Sequence, residues 1–132
     1  QEGKITVGDY PGGDASTHGG DFRMKGVTSD GTVSIGPGAA TTNGYFEMRR
    51  TTVKEGDLVL GRLAGQTYGS VTLLNNSIET GELTVGSDAG VNNGELDIIG
   101  NYIPSGKIEI GSSSGDISCS NNFDGTSIIS CP

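Results

Sequence analysis

Tryptophan is absent from this chain, and its 132 residues hold only three phenylalanines and four tyrosines. Hydrophobic residues make up 32%, against the usual share of about 45–50% counted with glycine. A conventional two-layer core is hard to fill from that supply. Cations are also scarce: eight Lys and Arg against sixteen Asp and Glu give a formal charge of −8. That balance disfavours nucleic acid, whose binding rests on cations neutralising phosphates, and it disfavours anionic membrane surfaces for the same reason. No apolar run approaches the roughly 20 residues that span a bilayer, so no membrane insertion is expected. There is one histidine and there are two cysteines. The first residue is Gln rather than Met, which fits a chain processed after secretion or trimmed in another way.

Glycine, by contrast, is abundant: the chain has 24 of them. Gly31, Gly44, Gly56, Gly69, Gly81, Gly94 and Gly106 form a ladder whose rungs alternate between a longer and a shorter step. Each is followed by a short alternation of polar and apolar residues, as in Thr32-Val33-Ser34-Ile35 and Glu95-Leu96-Asp97-Ile98. Disorder predicts aperiodic, charge-rich sequence; a fixed period marks a repeat architecture instead. The slot at the end of each alternation is Gly36, Gly61 and Gly86 in one half-unit but Arg49, Leu74 and Ile99 in the other. The true repeat therefore takes two rungs, from Gly31 to Gly56, Gly81 and Gly106, which is a 25-residue period.

Residues two apart on a strand share a face. The pairs Val33/Ile35, Leu58/Leu60 and Leu83/Val85 therefore point inward from one strand per unit. Phe46/Met48, Val71/Leu73 and Leu96/Ile98 do so from a second. Val53, Ile78 and Ile103 mark a third short strand or an inward corner, and Ala39, Ala64 and Ala89 suit a tight inward bend. The glycines beside the strands are expected to turn the chain at positive φ. Residues 1–30 form an irregular first copy carrying an insertion of about four residues. Residues 31–105 are three regular copies, and 106–132 are a shortened last one. No helical periodicity of useful length occurs. Ile117-Ser118-Cys119 is repeated as Ile129-Ser130-Cys131.

The chain thus reads as one repetitive all-β domain over 1–132, a β-solenoid or β-roll of about five 25-residue coils at about 4.8 Å each. Leu58 then stacks over Val33 and Leu83 over Leu58. The alternative is an antiparallel β-sandwich, whose turn signals also recur at about 8–12 residues; a sandwich does not require a two-part period.

The stretch Gly31-Thr32-Val33-Ser34-Ile35-Gly36-Pro37-Gly38-Ala39-Ala40 resembles the head repeats of trimeric autotransporter adhesins, and Leu83-Thr84-Val85-Gly86-Ser87-Asp88-Ala89 is a second match. β-Helical phage fibre segments carry similar pieces. The resemblance covers about a third of the chain, and the alternating spacing departs from it. It implies an extracellular, cell-surface or virion fibre component, with a trimer among its implications, and it supplies no receptor site.

Cys119 and Cys131 occupy equivalent places in the two terminal Ile-Ser-Cys pieces, where neighbouring stacked strands bring such positions within disulfide range. A disulfide is expected there, in an oxidising compartment. His18, beside Asp14, Ser16, Thr17 and Asp21, lacks any oxyanion or nucleophile motif and reads as a loop histidine. Asp9, Asp14, Asp21 and Asp30, or Asp88 with Asn92 and Asn93, have Ca²⁺-binding chemistry, but their spacing fits neither an EF-hand nor a calcium roll. Turn formation accounts for them equally. Asp57, Glu82, Glu95, Asp97 and Glu109 alternate outward and read as a solvated face rather than a glycosidase pair, which needs a cleft. Asn75-Asn76-Ser77 matches the N-glycosylation pattern. No glycine-rich turn sits in a strand–loop–helix context, so no nucleotide or other cofactor is expected, and neither a metal site nor an enzyme is indicated.

Two functions remain. One is a structural subunit of an extracellular filament that joins copies of itself through exposed β edges. Residues 3–8 and 126–131 are the candidate contact strands, with Ile5, Val7, Ile128 and Ile129 the candidate assembly residues. The other is a phage fibre or adhesin segment that binds a surface glycan or protein through the loop at 9–19.

Overall fold

The structure is a computed structural model that describes residues 5–7, 21–35, 43–61, 64–65 and 67–132. Among the described residues, thirteen short strands form three parallel sheets. The first sheet holds β1 (Ile5–Val7), β4 (Val33–Ile35), β7 (Leu58–Leu60), β10 (Leu83–Val85) and β12 (Ile108–Ile110). The second holds β2 (Asp21–Lys25), β5 (Tyr45–Arg49), β8 (Ser70–Leu74), β11 (Glu95–Ile99) and β13 (Asp116–Ser120). The third is narrow: β3 (Thr28–Ser29), β6 (Thr52–Val53) and β9 (Ser77–Ile78), continued by single bridges at Tyr102 and Phe123. Each coil gives one strand to each of the two wider sheets, and a strand or a single bridge to the third, before the chain climbs to the next level. The molecule is a β-solenoid of about four turns, with five strand levels in its two wider sheets. Parallel pairing throughout these sheets rules out the antiparallel sandwich.

The register follows the period. Val33 pairs with Leu58, and Leu58 with Leu83; Phe46 pairs with Val71, and Val71 with Leu96. The inward residues at these positions stack into continuous columns, and the side chains from Val33 to Ile103 that form them are almost fully buried. Phe22 lies flat on Phe46 at the N-terminal end, with ring centroids 5.0 Å apart and planes within 2°. Val53, Ile78 and Ile103 are indeed the inward residues of the third face, each at most 1% exposed. In the first coil their place is taken by Ser29, whose hydroxyl donates to the Gly31 carbonyl at 2.7 Å.

Length irregularity falls on one corner only. The connection from the first sheet to the second takes up positions 8–20 in the first coil. It is shorter, and constant, at 36–44, 61–69 and 86–94 in the next three, and shorter again at 111–115 in the last. The four-residue insertion expected in the first copy therefore lies between β1 and β2. A matching four-residue deletion shortens the last. Within these connections Ala64 and Ala89 are fully buried, as their size suggested.

The turning residues differ from expectation. Of the leading glycines, Gly56 and Gly106 have positive φ, but Gly44, Gly69 and Gly94 do not; the residue before each of those three, Asn43, Tyr68 and Asn93, takes the left-handed conformation instead. Asn tolerates that region because its side chain bonds locally. Gly81 is needed for space rather than for φ: a Cβ there would overlap the Gly56 carbonyl of the coil below.

Candidate assembly surfaces

The corner between the second and third sheets is built the same way at every level. Gly26, Arg50, Asn75, Gly100 and Asn121 adopt positive φ, and the next residue turns inward. At the last three levels that residue is asparagine: Asn76, Asn101 and Asn122, each at most 2% exposed. Their amides form a ladder along the solenoid axis. Asn76 Nδ2 donates to Asn101 Oδ1 at 3.0 Å, and Asn101 Nδ2 to Asn122 Oδ1 at 2.9 Å. Each Oδ1 also accepts a backbone N–H from the level below, and each Nδ2 also reaches a backbone carbonyl. These bonds satisfy corner groups that the sheets leave unpaired. Thr51 holds the same slot one level below, and its buried hydroxyl has no partner. Asn75 is exposed at this corner, so the glycosylation pattern lies at the surface while its middle residue is interior.

Past Asn122 the chain reverses. Asp124 accepts backbone N–H bonds from Thr126 at 2.8 Å and Ser127 at 2.9 Å, and these hold its carboxyl down to about 2. Phe123 and Ile128 then face each other in an antiparallel bridge, with the Ile129 amide bonded to the Asn122 carbonyl at 2.7 Å. Ile129-Ser130-Cys131 is therefore a return segment and not another strand of the stack, because the Asp124 turn sends it back across the last coil. Ile129 and Cys131 pack against the core. Cys131 is joined to Cys119 of β13 by the expected disulfide, with Cα atoms 5.9 Å apart. Ile128 is 64% exposed. The tail covers the core of the last coil but adds no strand beyond β12 or β13.

At the opposite end, β1 pairs Ile5 with Val33 and Val7 with Ile35, and β2 pairs only with β5. Among the described residues, no strand lies beyond β1, β2 or β3. Asp9, Asp14, His18 and the loop at 9–19 lie outside the described residues. Asp30 pairs with Lys54 at 3.6 Å. Asp57 Oδ1 accepts the Glu82 N–H at 3.0 Å, which makes Asp57 a link between coils. No group of three or more His, Cys, Asp or Glu among the described residues is arranged to hold a metal ion.

The second sheet's outer face carries a cluster that sequence reading missed. Glu47 points outward yet is only 3% exposed. Tyr45 donates its hydroxyl to Glu47 Oε2 at 2.8 Å, Arg49 Nη2 reaches the same oxygen at 2.9 Å, and Lys25 Nζ lies 3.8 Å from Oε1. The Arg23 guanidinium sits 5.2 Å from the centre of the Tyr45 ring. The Tyr45 hydrogen bond lowers the Glu47 pKa, burial opposes it, and Arg49 adds to the lowering. Burial, then the bond to Glu47, raises the Tyr45 phenol. Both groups move away from neutral pH, the reverse of what acid–base catalysis needs. The cluster ties the first coil to the second. Its signal in the sequence was one Tyr-x-Glu-x-Arg alternation at 45–49, one coil above Arg23-x-Lys25. No protein-family model, no curated protein and no solved structure matches this chain.

Proposed function

We propose that the protein is a structural subunit of an extracellular or cell-surface filament, built by stacking solenoids through their end strands. The observation that carries this reading is the match between the two ends. The first sheet ends in three-residue strands, β1 and β12; the second ends in five-residue strands, β2 and β13. Placing β12 and β13 of one copy beside β1 and β2 of the next continues both ladders at their backbone edges, with the disulfide-held tail at Ile129 and Cys131 lying between the two cores. Unpaired strand edges are templates for such addition. The disulfide supports an oxidising compartment.

The test targets one donor. Neighbouring residues of a parallel strand bond to opposite neighbours. Asp116 N–H bonds back to the Gly90 carbonyl, so the Ile117 N–H faces outward. Ile117→Pro removes that donor and leaves the inner ladder intact. Electron microscopy should show rods one solenoid wide for the wild type and none for Ile117→Pro, with unchanged far-UV circular dichroism. A wild-type chain that remains a monodisperse monomer at high concentration sinks the proposal.

A second reading, glycan binding by an adhesin or phage fibre segment, is favoured by one feature. Tyr102 and Phe123 form a tilted aromatic pair, centroids 5.1 Å apart, and Phe123 is 40% exposed beside Thr126 and Ser127. Aromatic faces of that kind suit sugar rings. Phe123→Ala should then abolish retention on a glycan array without affecting rod formation.

A further inference from the structure

The last coil is covered less completely than those below it. Its inward residues continue their columns: Ile117 stands in register with Leu96, and Cys119 with Ile98. Leu96 and Ile98 are fully buried, whereas Ile117, Cys119 and Ile110 of β12 are half-buried. Their cover is the tail at 124–132. Cys131 is bonded to Cys119, so it lies on the end of that inward column, and Ile129 packs against the core with it. The rest of the tail's hold on the coil is slight. The bonds of the Asp124 turn run within the turn itself. The Ile129 amide bonds to the Asn122 carbonyl, and Ile128 is turned to solvent. The disulfide is thus the main fastening, and both of its cysteines are partly exposed. At the other end the same columns begin with Phe22, in register with Phe46, and Met24, in register with Met48. In an unbroken stack, Phe22 of a next copy would follow Ile117, and its Met24 would follow Cys119. The place beyond Cys119 is taken instead by Cys131.

We propose that the tail is a removable cap, latched by the Cys119–Cys131 disulfide, over a surface that seats the first coil of a second copy. The inference deepens the end-to-end reading and rests on it. A second copy is the occupant because both ends match level for level, in strand length and in inward column. With the tail in place, two copies meet at their backbone edges alone. Once it is freed, Phe22 and Met24 of one copy bury against Ile117 and Cys119 of the other, and apolar burial is added to the joint. A dithiol opens the latch by thiol–disulfide exchange. Its thiolate attacks one cysteine sulfur, the S–S bond breaks and a mixed disulfide forms; the reductant's second thiol then displaces the protein sulfur. Two electrons pass to the protein, Cys119 and Cys131 take up two protons as thiols, and the dithiol leaves as a cyclic disulfide.

The experiment measures the threshold concentration for rods, by light scattering and electron microscopy. It compares the oxidised full chain, the same chain under a dithiol, and Cys131→Ser. Freeing the tail should lower the threshold at least tenfold in the last two. Cys131→Ser leaves Cys119 as the one cysteine. Iodoacetamide then alkylates its thiolate, with iodide leaving, and the added group stands in the seat itself; the gain should disappear. Equal thresholds with and without the dithiol overturn the cap and leave the end joint standing. A higher threshold after reduction also overturns it, since the tail would then be part of the joint. A gain that survives alkylation of Cys119 overturns the seat. So does loss of the far-UV circular dichroism in the freed chain, because a removable cap requires a stack that stands without it. Rods in none of the three samples overturn the end joint, and the cap with it.

Discussion

A single amide in the ladder holds more than one level of the solenoid. The Asn101 side chain accepts from the Asn76 backbone and side chain, and donates to the Leu73 carbonyl and the Asn122 amide. Asn101→Ala strands several buried partners, at about 1–3 kcal/mol for each group left unsatisfied. We expect a loss of about 3 kcal/mol, seen as a fall in Tm of roughly 10 °C by thermal denaturation. Thr51→Asn should do the opposite. It extends the ladder into a slot whose hydroxyl has no partner, and a gain of about 1 kcal/mol in denaturant unfolding is expected. Glu47 makes stability depend on acid. Its folded-state pKa is depressed, so its contribution is complete above the unfolded value, about 4.3, and is lost as pH falls through the lower folded value. The acid limb of the stability profile should be shallower in Glu47→Gln than in the wild type. None of these residues stood out in the sequence. Asn76 and Asn101 keep the 25-residue spacing, but the shortened last coil brings Asn122 in early, which hides the series. Nothing in the sequence singles out Glu47, because the three groups around its carboxylate come from two coils.

The strands were legible because alternation at period two is a direct print of the pleat. Val33/Ile35 and Phe46/Met48 could face only one way once the repeat was fixed. The terminal segment was not legible at the same level. Ile129-Ser130-Cys131 copies Ile117-Ser118-Cys119, so it reads as a further rung, and only the turn at Asp124 shows it to be a return. The disulfide was readable even so, since both geometries bring the cysteines together. It closes a separation of 12 residues, for which the chain-entropy model gives about 3 kcal/mol. Cys131→Ser should cost about that much and free the tail. Hydrogen exchange should then speed at the Ser118 and Ser120 amides of β13 and leave those of β8 unchanged, because stability in a solenoid is passed between neighbours.

As a whole, the molecule is a stack whose levels are nearly interchangeable. Inserting a second copy of residues 56–80 after Thr80 should yield a folded chain about 4.8 Å longer by small-angle scattering, with a larger denaturant m-value. A chain that unfolds on this insertion would contradict nearest-neighbour stacking. The repeat length alone encodes this design, while the ends, where copies are incomplete, are shaped by the Asp124 turn and the Cys119–Cys131 disulfide.

The connections from the first sheet to the second shrink from 8–20 in the first coil to 111–115 in the last, while every other corner keeps its length within a residue or so. An insertion or deletion at that corner leaves all three ladders aligned, so it is nearly invisible to selection for folding. A one-residue change inside a strand exchanges its buried and solvent-facing side chains. Lineages of this protein should therefore diverge in length along one vertical seam of the prism, and that seam is where foreign sequence can be added with the least harm.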